Sequence, residues 1–129
     1  MMKAMLDTNI LIYAARNNPP EILERLGKFR KGDIAISSIV WAEFCVGLHK
    51  SGIDAGQVDA FIDIIAFDKA AGDVFGMLTA KYPDRARGFD RLIAAHAIAA
   101  KTKLITNNVA DFAPYLDDGL ALENWAAPR

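Results

Sequence analysis

The sequence predicts an α/β domain with a mainly parallel sheet, and two observations carry that prediction. Short apolar runs alternate along the chain with longer segments of helical period, the pattern of a sheet layered with helices. Polar or acidic residues also gather at the corners where an apolar run hands over to a helix: Asp7-Thr8-Asn9, Asn107 to Asp111, and Glu43 one turn into its helix. Groups at such corners point into the crevice at the carboxyl edge of a parallel sheet, where open α/β sheets bind ligands.

In chain order, Lys3 to Leu6 is a first strand. Ile10 to Ala15 begins a helix that ends near Asn17, ahead of the loop Asn17-Asn18-Pro19-Pro20. Glu21 to Arg30 alternates charge with Ile22, Leu23, Leu26 and Phe29, an amphipathic surface helix with no chemistry of its own. Ile34-Ala35-Ile36 is a second strand, and Ser37 or Ser38 caps the helix Ile39 to Lys50, whose apolar stripe is Trp41, Phe44, Cys45 and Leu48. Gly52 ends that helix, Ala55 to Ile65 forms another, and Ala66-Phe67-Asp68 is a short third strand. Lys69 to Lys81 is helical until Tyr82-Pro83 stops it, and Asp84 to Gly88 is a basic loop. Leu92 to Ala100 carries no charge and is rich in Ala, so it is a buried central helix. Lys103 to Thr106 and Leu120 to Leu122 are the last strands, and Trp125 packs on the core.

With 129 residues and 53% apolar content, residues 1–129 form one domain with a solid core or a buried interface. No apolar run reaches the length of a membrane span, and Asp7 interrupts the N-terminal stretch that a signal peptide would need. The lone Cys45 suits a reducing cytoplasm. A formal net charge of −1 gives no global attraction to nucleic acid, so any such binding is local or carried by a metal.

Asp7, Glu43, Asp90 and Asp111 are the acids that matter. Asp7, Thr8 and Asn9 are three cap-competent residues in a row, more than one cap needs. Glu43 has Val40 and Gly47 one turn away, neither able to pair with it, and Lys50 two turns on as a candidate partner. An acid in a mostly apolar helix requires a partner or a cation; an exposed surface Glu fits the same spacing. Asp90, just after Gly88, marks the mouth of the central helix and by itself reads as an N-cap or first-turn acid. His96 lies six residues beyond Asp90, about 240° around the helix, so it belongs to the core and not to Asp90's face. His49 is a surface residue, and Cys45 packs in or near an interface.

Taken together, Leu6-Asp7-Thr8-Asn9, Glu43 within Trp-Ala-Glu-Phe, Asp90 within Phe-Asp-Arg-Leu-Ile-Ala-Ala-His-Ala, Thr106 to Phe112, and the closing Leu-Ala-Leu-Glu-Asn-Trp resemble the motifs of PIN-domain ribonucleases. The nearest subgroup is the VapC-type toxin of bacterial VapBC toxin–antitoxin pairs. The resemblance spans essentially the whole chain. It implies a PIN-like three-layer α/β/α domain with a parallel sheet of about five strands, and cleavage of structured RNA such as tRNA or rRNA. It also implies dependence on Mg²⁺ or Mn²⁺, homodimers, and a tight VapB-type antitoxin partner. The segment before Asp90, compressed into Pro83 to Gly88, is shorter than is usual in the family, which bears on the RNA-facing rim.

The chemistry of the residues agrees with that resemblance. Carboxylates without interleaved Cys or His suit a hard cation, Mg²⁺ or Mn²⁺, over zinc. Such a cation activates water and stabilises charge on a phosphate in flight. Asp7, Glu43 and Asp90 are assigned as principal ligands and Asp111 as an outer or second-metal ligand. Thr8, Asn9, Thr106 and Asn107 are supporting residues that orient ligands or waters. No side chain is an evident general base, so a metal-activated water is the expected nucleophile, leaving a 5′-phosphate and a 3′-hydroxyl. Arg85, Arg87 and Arg91 lie beside the acidic mouth, where Arg suits phosphate; pairing with Asp84 fits them equally. Trp41, Phe44, Phe61 and Ile65 offer more apolar surface than a small core needs, which places the antitoxin along the helices Ile39 to Lys50 and Ala55 to Ile65.

Three other readings compete. A PIN-type RNA-processing nuclease without antitoxin keeps the fold and the chemistry. A degenerate RNA- or protein-binding domain is opposed by the presence of all four acids. A phosphatase with an aspartyl nucleophile at Asp7 calls for a second Asp two residues on, where this chain has Asn9.

Overall fold

Ala4-Met5-Leu6 has no polar side chain to draw it to the surface, and all three residues are fully buried as β1 (Ala4–Leu6). β2 (Ile34–Ser37) is buried along its whole length as well. Continuous burial of this kind marks strands inside a parallel sheet covered on both faces. The computed structural model describes residues 2–51, 61–83 and 88–126. With β3 (Asp63–Ile65), β4 (Lys103–Ile105) and β5 (Leu122–Glu123), the strands form one sheet in the order β3-β2-β1-β4-β5. Every pairing in it is parallel. The expected five-stranded parallel sheet between helices is thus the observed fold.

The helices follow in order: α1 (Thr8–Arg16), α2 (Pro20–Leu26), α3 (Ser38–Ser51), α4 (Lys69–Lys81), α5 (Phe89–Ala99) and α6 (Val109–Phe112), then a 3-10 turn at Ala113–Asp118. Asn17 ends α1 in the left-handed region, φ 52°, as a C-terminal stop signal should. Helix α5 buries Ile93, Ala94, Ala95 and Ala97 completely. No helix among the described residues is long and apolar enough to cross a membrane.

Four expectations shift. The third strand is Asp63–Ile65 rather than Ala66 to Asp68, because Ile64 pairs with Ile36 and Ile65 with Ser37. A short apolar run at the end of a helical pattern reads either way from sequence. The helix expected over Ala55 to Ile65 therefore loses its end to β3, while its residues 55–60 lie outside the described residues, as does Gly52. The last strand is Leu122–Glu123, two residues late, because Leu120 is held in the preceding turn by its amide donating to Tyr115 O. Helix α2 stops at Leu26, which frees Phe29 to stack on Trp125 at 5.7 Å between ring centres. Trp125 does pack on the core.

The order of the strands makes a site. The chain leaves β1 toward β2 and β3, then returns to the other side of β1 as β4. The carboxyl ends of β1 and β4 are therefore a topological switch point, where crevices open in such sheets.

Candidate active site

Asp7 follows the last residue of β1, and its own amide donates to Ile105 O on β4 at 2.9 Å, which pins it between the two central strands. Its carboxylate is 3% exposed. Oδ1 accepts from the Thr8 amide at 2.7 Å, and Oδ2 accepts from Thr106 Oγ1 at 2.8 Å. An ordinary N-cap accepts from the second or third helical amide. Asp7 instead takes the first amide and a hydroxyl from another strand, so its orientation serves more than a cap. Thr106 Oγ1 in turn accepts from the Asn108 amide at 2.9 Å, which leaves its proton for Asp7.

Burial pushes the Asp7 carboxyl from the usual 3.8 to about 6; its two hydrogen bonds oppose the rise, while the charges of Asp90 and Glu43 add to it. Glu43 projects from α3, where Thr8 Oγ1 donates to its Oε1 at 2.6 Å. Its partner is thus the Thr8 hydroxyl, not Lys50. Its pKa too is raised by burial, against the Thr8 hydrogen bond and with the Asp90 charge. Asp90 sits in the first turn of α5, whose N-cap is Gly88, and no side chain caps that end. Its pKa is raised by burial and then by Asp111. Asp111, on α6, is exposed. Asp7, Glu43 and Asp90 thus come together from β1, α3 and α5, with Asp111 at their rim.

Among the described residues no Lys or Arg forms an ion pair with any of these four acids. The donors are all oxygens, the set that hard cations take. No group of three or more acidic, His or Cys side chains among the described residues closes tightly enough to cage an ion alone. Mg²⁺ does not require such a cage, because it keeps several waters and binds through one or two carboxylates plus substrate phosphate. The residues therefore fit the cation that the resemblance implies.

The supporting residues divide. Thr8 and Thr106 are buried and aim carboxylates. Asn107 is exposed at the mouth, where Nδ2 donates to Tyr13 Oη at 3.3 Å and Oδ1 accepts from Asn124 Nδ2 at 3.4 Å. Asn9 is half-buried and makes no side-chain hydrogen bond among the described residues. Tyr13 and Asn124 carry no assigned role in the sequence reading; the available signals are that Tyr13 lies one turn beyond Asn9 on α1 and that Asn124 falls within the closing Leu-Ala-Leu-Glu-Asn-Trp motif. Arg85 and Arg87 lie outside the described residues.

Arg91 is a correction. It is 1% exposed and faces inward, with Nε donating to Tyr115 Oη at 3.2 Å, Nη1 to Thr79 Oγ1 at 3.3 Å and Nη2 to Tyr82 O at 2.9 Å. The residue after Asp90 on a helix turns about 100° away from it, which sends this guanidinium into the α4–α5 seam and away from any phosphate. Phe44 is another: it is fully buried, so it offers a partner nothing, while Trp41, Phe61 and Ile65 pack half-buried against the core. His96 is the core histidine expected, with Nδ1 2.7 Å from Ser37 Oγ and its ring edge-on to Phe67.

Residues 4–113 match the PIN domain family. The chain is 33% identical to the tRNA(fMet)-specific endonuclease VapC of Shigella flexneri, over 98% of this chain and 100% of that protein. It is 37% identical to ribonuclease VapC2 of Rickettsia felis, over 94% and 96% of the two. Among solved structures, it superposes on VapBC2 from Rickettsia felis bound to a DNA fragment from their promoter with a TM-score of 0.82, at 36% identity, covering 96% of this chain and 99% of that one. The DNA-bound VapBC from Salmonella typhimurium gives a TM-score of 0.81 at 29% identity, over 98% and 100% of the chains.

Proposed function

The chain belongs to the PIN-domain family, among the VapC ribonucleases, and on that premise we propose that it is a Mg²⁺- or Mn²⁺-dependent endoribonuclease that cuts structured RNA as the toxin of a VapBC-type pair. The observation that supports this best is Asp7: a buried carboxylate, raised to about 6, held by two donors and flanked by acids instead of cations. The Thr8 amide bond caps α1, but burial beside like charges works against the ionised carboxylate, and a divalent cation and a phosphate turn that arrangement into an asset.

Asp7, Glu43 and Asp90 are the principal ligands in this reading, and Asp111 serves the outer side. Thr106 and Thr8 hold the first two carboxylates in one orientation each, so the ligand geometry is prepared before substrate arrives. When bound, the cation supplies an acidified water and a counter-charge for the phosphate in flight. Attack by water makes no use of a 2′-hydroxyl, so the products carry a 5′-phosphate and a 3′-hydroxyl. tRNA is the first substrate to examine, because relatives are named for tRNA(fMet). A VapB-type antitoxin is the proposed partner, since solved relatives are VapBC complexes. A homodimer in the cytoplasm completes the proposal.

Incubating the protein with initiator tRNA and Mg²⁺, and sequencing the ends, tests this reading. Discrete cuts that vanish in excess EDTA and bear 5′-phosphates are expected. Protein-dependent cleavage that survives EDTA, or 2′,3′-cyclic phosphate ends, would overturn the metal mechanism.

A further inference from the structure

We propose that the groove between α2 and the β4–β5 edge is an anion subsite for the phosphodiester backbone of an RNA strand that continues from the carboxylate mouth; naming the strand as RNA rests on the nuclease reading above. The groove encloses about 390 Å³ and is lined by Arg25, Lys28, Phe29, Lys103, Glu123 and Trp125.

Its charge is unbalanced. Glu123 is the single carboxylate in the lining, and it is already engaged: Trp125 Nε1 donates to Oε2 at 2.7 Å, and Lys103 Nζ stands 3.4 Å from the same oxygen. Arg25 and Lys28 form no close ion pair among the described residues, although the Arg25 charge reaches Glu123 and helps to lower its pKa. Arg25 Nε is buried without a hydrogen-bond partner among the described residues. Arg25 as a whole is half-buried and lines the groove, where the fork of a guanidinium suits a phosphate.

The floor of the groove argues for backbone over bases. Phe29 and Trp125 stack on each other, 5.7 Å apart and 18° from parallel, and Trp125 is 2% exposed. The Trp125 ring is covered on both sides, so no base stacks on it.

The groove is also joined to the mouth. Glu123 O accepts from the Thr106 amide at 3.0 Å, and Thr106 is the residue whose hydroxyl holds Asp7. The next residue along each strand continues the link, with Asn124 Nδ2 donating to Asn107 Oδ1 and Asn107 Nδ2 to Tyr13 Oη. These half-buried or exposed amides form a polar shelf between the acids and the cations. A strand whose scissile phosphate sits among the acids crosses that shelf and meets Arg25 and Lys28. With a whole-chain charge of −1, binding needs such a local positive site.

The test is binding of a mixed-sequence, single-stranded RNA oligonucleotide to the full chain in EDTA, by fluorescence anisotropy across a range of salt. Backbone binding is independent of sequence, so no knowledge of the natural target is required. Arg25→Met with Lys28→Met should weaken binding by roughly tenfold or more and flatten the slope of log K against log salt by about 1.4, about 0.7 for each phosphate that is no longer neutralised. Arg25→Lys, which keeps the charge, should restore most of the slope, and Lys69→Met on exposed α4 should change neither. Thermal melting checks that the variants are folded. Unchanged affinity and slope in the double variant would overturn the subsite. So would a double variant that keeps its RNA affinity but loses affinity for the antitoxin, which would make the groove a protein-docking surface. A chain that binds RNA through Arg25 and Lys28 yet cleaves neither tRNA nor rRNA with Mg²⁺ or Mn²⁺ would end the nuclease reading and leave the subsite standing.

Discussion

The carboxylates at the mouth and those on the flanks of the sheet are the same chemical group treated in opposite ways. Asp7, Glu43 and Asp90 all have raised pKa values, burial being the first cause in each case. Asp118 and Glu123 are lowered: Asp118 by its hydrogen bond from Lys81, 2.7 Å away, with Tyr82 Oη donating to its other oxygen at 2.7 Å, and Glu123 by the Trp125 indole. The flank acids were given cations and donors, so their ionisation supports the fold. The mouth acids were given burial and each other, so their ionisation opposes it. A protein keeps a cluster of the second kind where something outside the chain completes it.

Removing a mouth acid should have the largest effect of all, and on two readouts in opposite directions. Asp7→Asn or Asp90→Asn should lower tRNA cleavage by a factor of about 100 or more, the scale on which preorganised charge stabilisation is lost. In EDTA, Asp7→Asn should meanwhile be more stable than the parent. Because the folded pKa of about 6 lies above the usual 3.8, ionised Asp7 works against folding by about 3 kcal/mol at pH above both values. That penalty fades as pH falls through 6 and is gone below the unfolded value, so the gain should shrink over the same window. Melting curves from pH 8 to pH 4 check it, and Mg²⁺ should raise the melting temperature of the parent more than that of the variant. A variant that melts lower than the parent at pH 8 in EDTA, or that still cleaves, would erase the distinction between mouth and flank.

Arg91 sharpens the comparison from the side of positive charge. It is buried as deeply as Asp7, yet it is satisfied by a phenol, a hydroxyl and a carbonyl, and it ties α5 to the end of α4. Arg91→Met should cost about 2–4 kcal/mol in denaturant melts, because those acceptors lose their donor. RNA affinity per folded molecule should stay the same. Weaker RNA binding without loss of stability would restore Arg91 to the surface role that the sequence suggested.

The flank acids give the smallest effect. Asp118→Asn should cost less than about 1 kcal/mol, since Lys81 is half exposed. Its sign is the reverse of Asp7. A lowered folded pKa means stability present above the unfolded value and lost as pH falls, so parent and variant should converge in acid. Divergence toward low pH would contradict the assignment.

Much of this was legible in the residues themselves. The apolar runs gave β1, β2 and β4 because central parallel strands are buried on both faces and need no alternation. The uncharged, Ala-rich stretch gave α5, and Asn17 gave the end of α1. Asp7, Asp90 and Asp111 stood out because they lie at a strand end or a helix start, and Glu43 because it interrupts a mostly apolar helix. The edges were not legible. β3 and β5 are short, half covered, and take their limits from the partners Ser37 and Ile105, which no local pattern records.

What the sequence by itself determined is the alternation of strands and helices and the presence of acids at their corners. Those properties depend on neighbours along the chain. Only the tertiary structure decided which charge faces where. It turned Arg91 inward, because a helix carries consecutive residues about 100° apart. It paired Glu43 with Thr8, thirty-five residues away, and Asp7 with Thr106, ninety-nine residues away. It also set Arg25, on a helix that looked inert, and Lys28, just beyond the end of that helix, against the β4–β5 edge. Contacts of that range depend on strand order and helix rotation, and both are fixed only when the whole sheet is assembled.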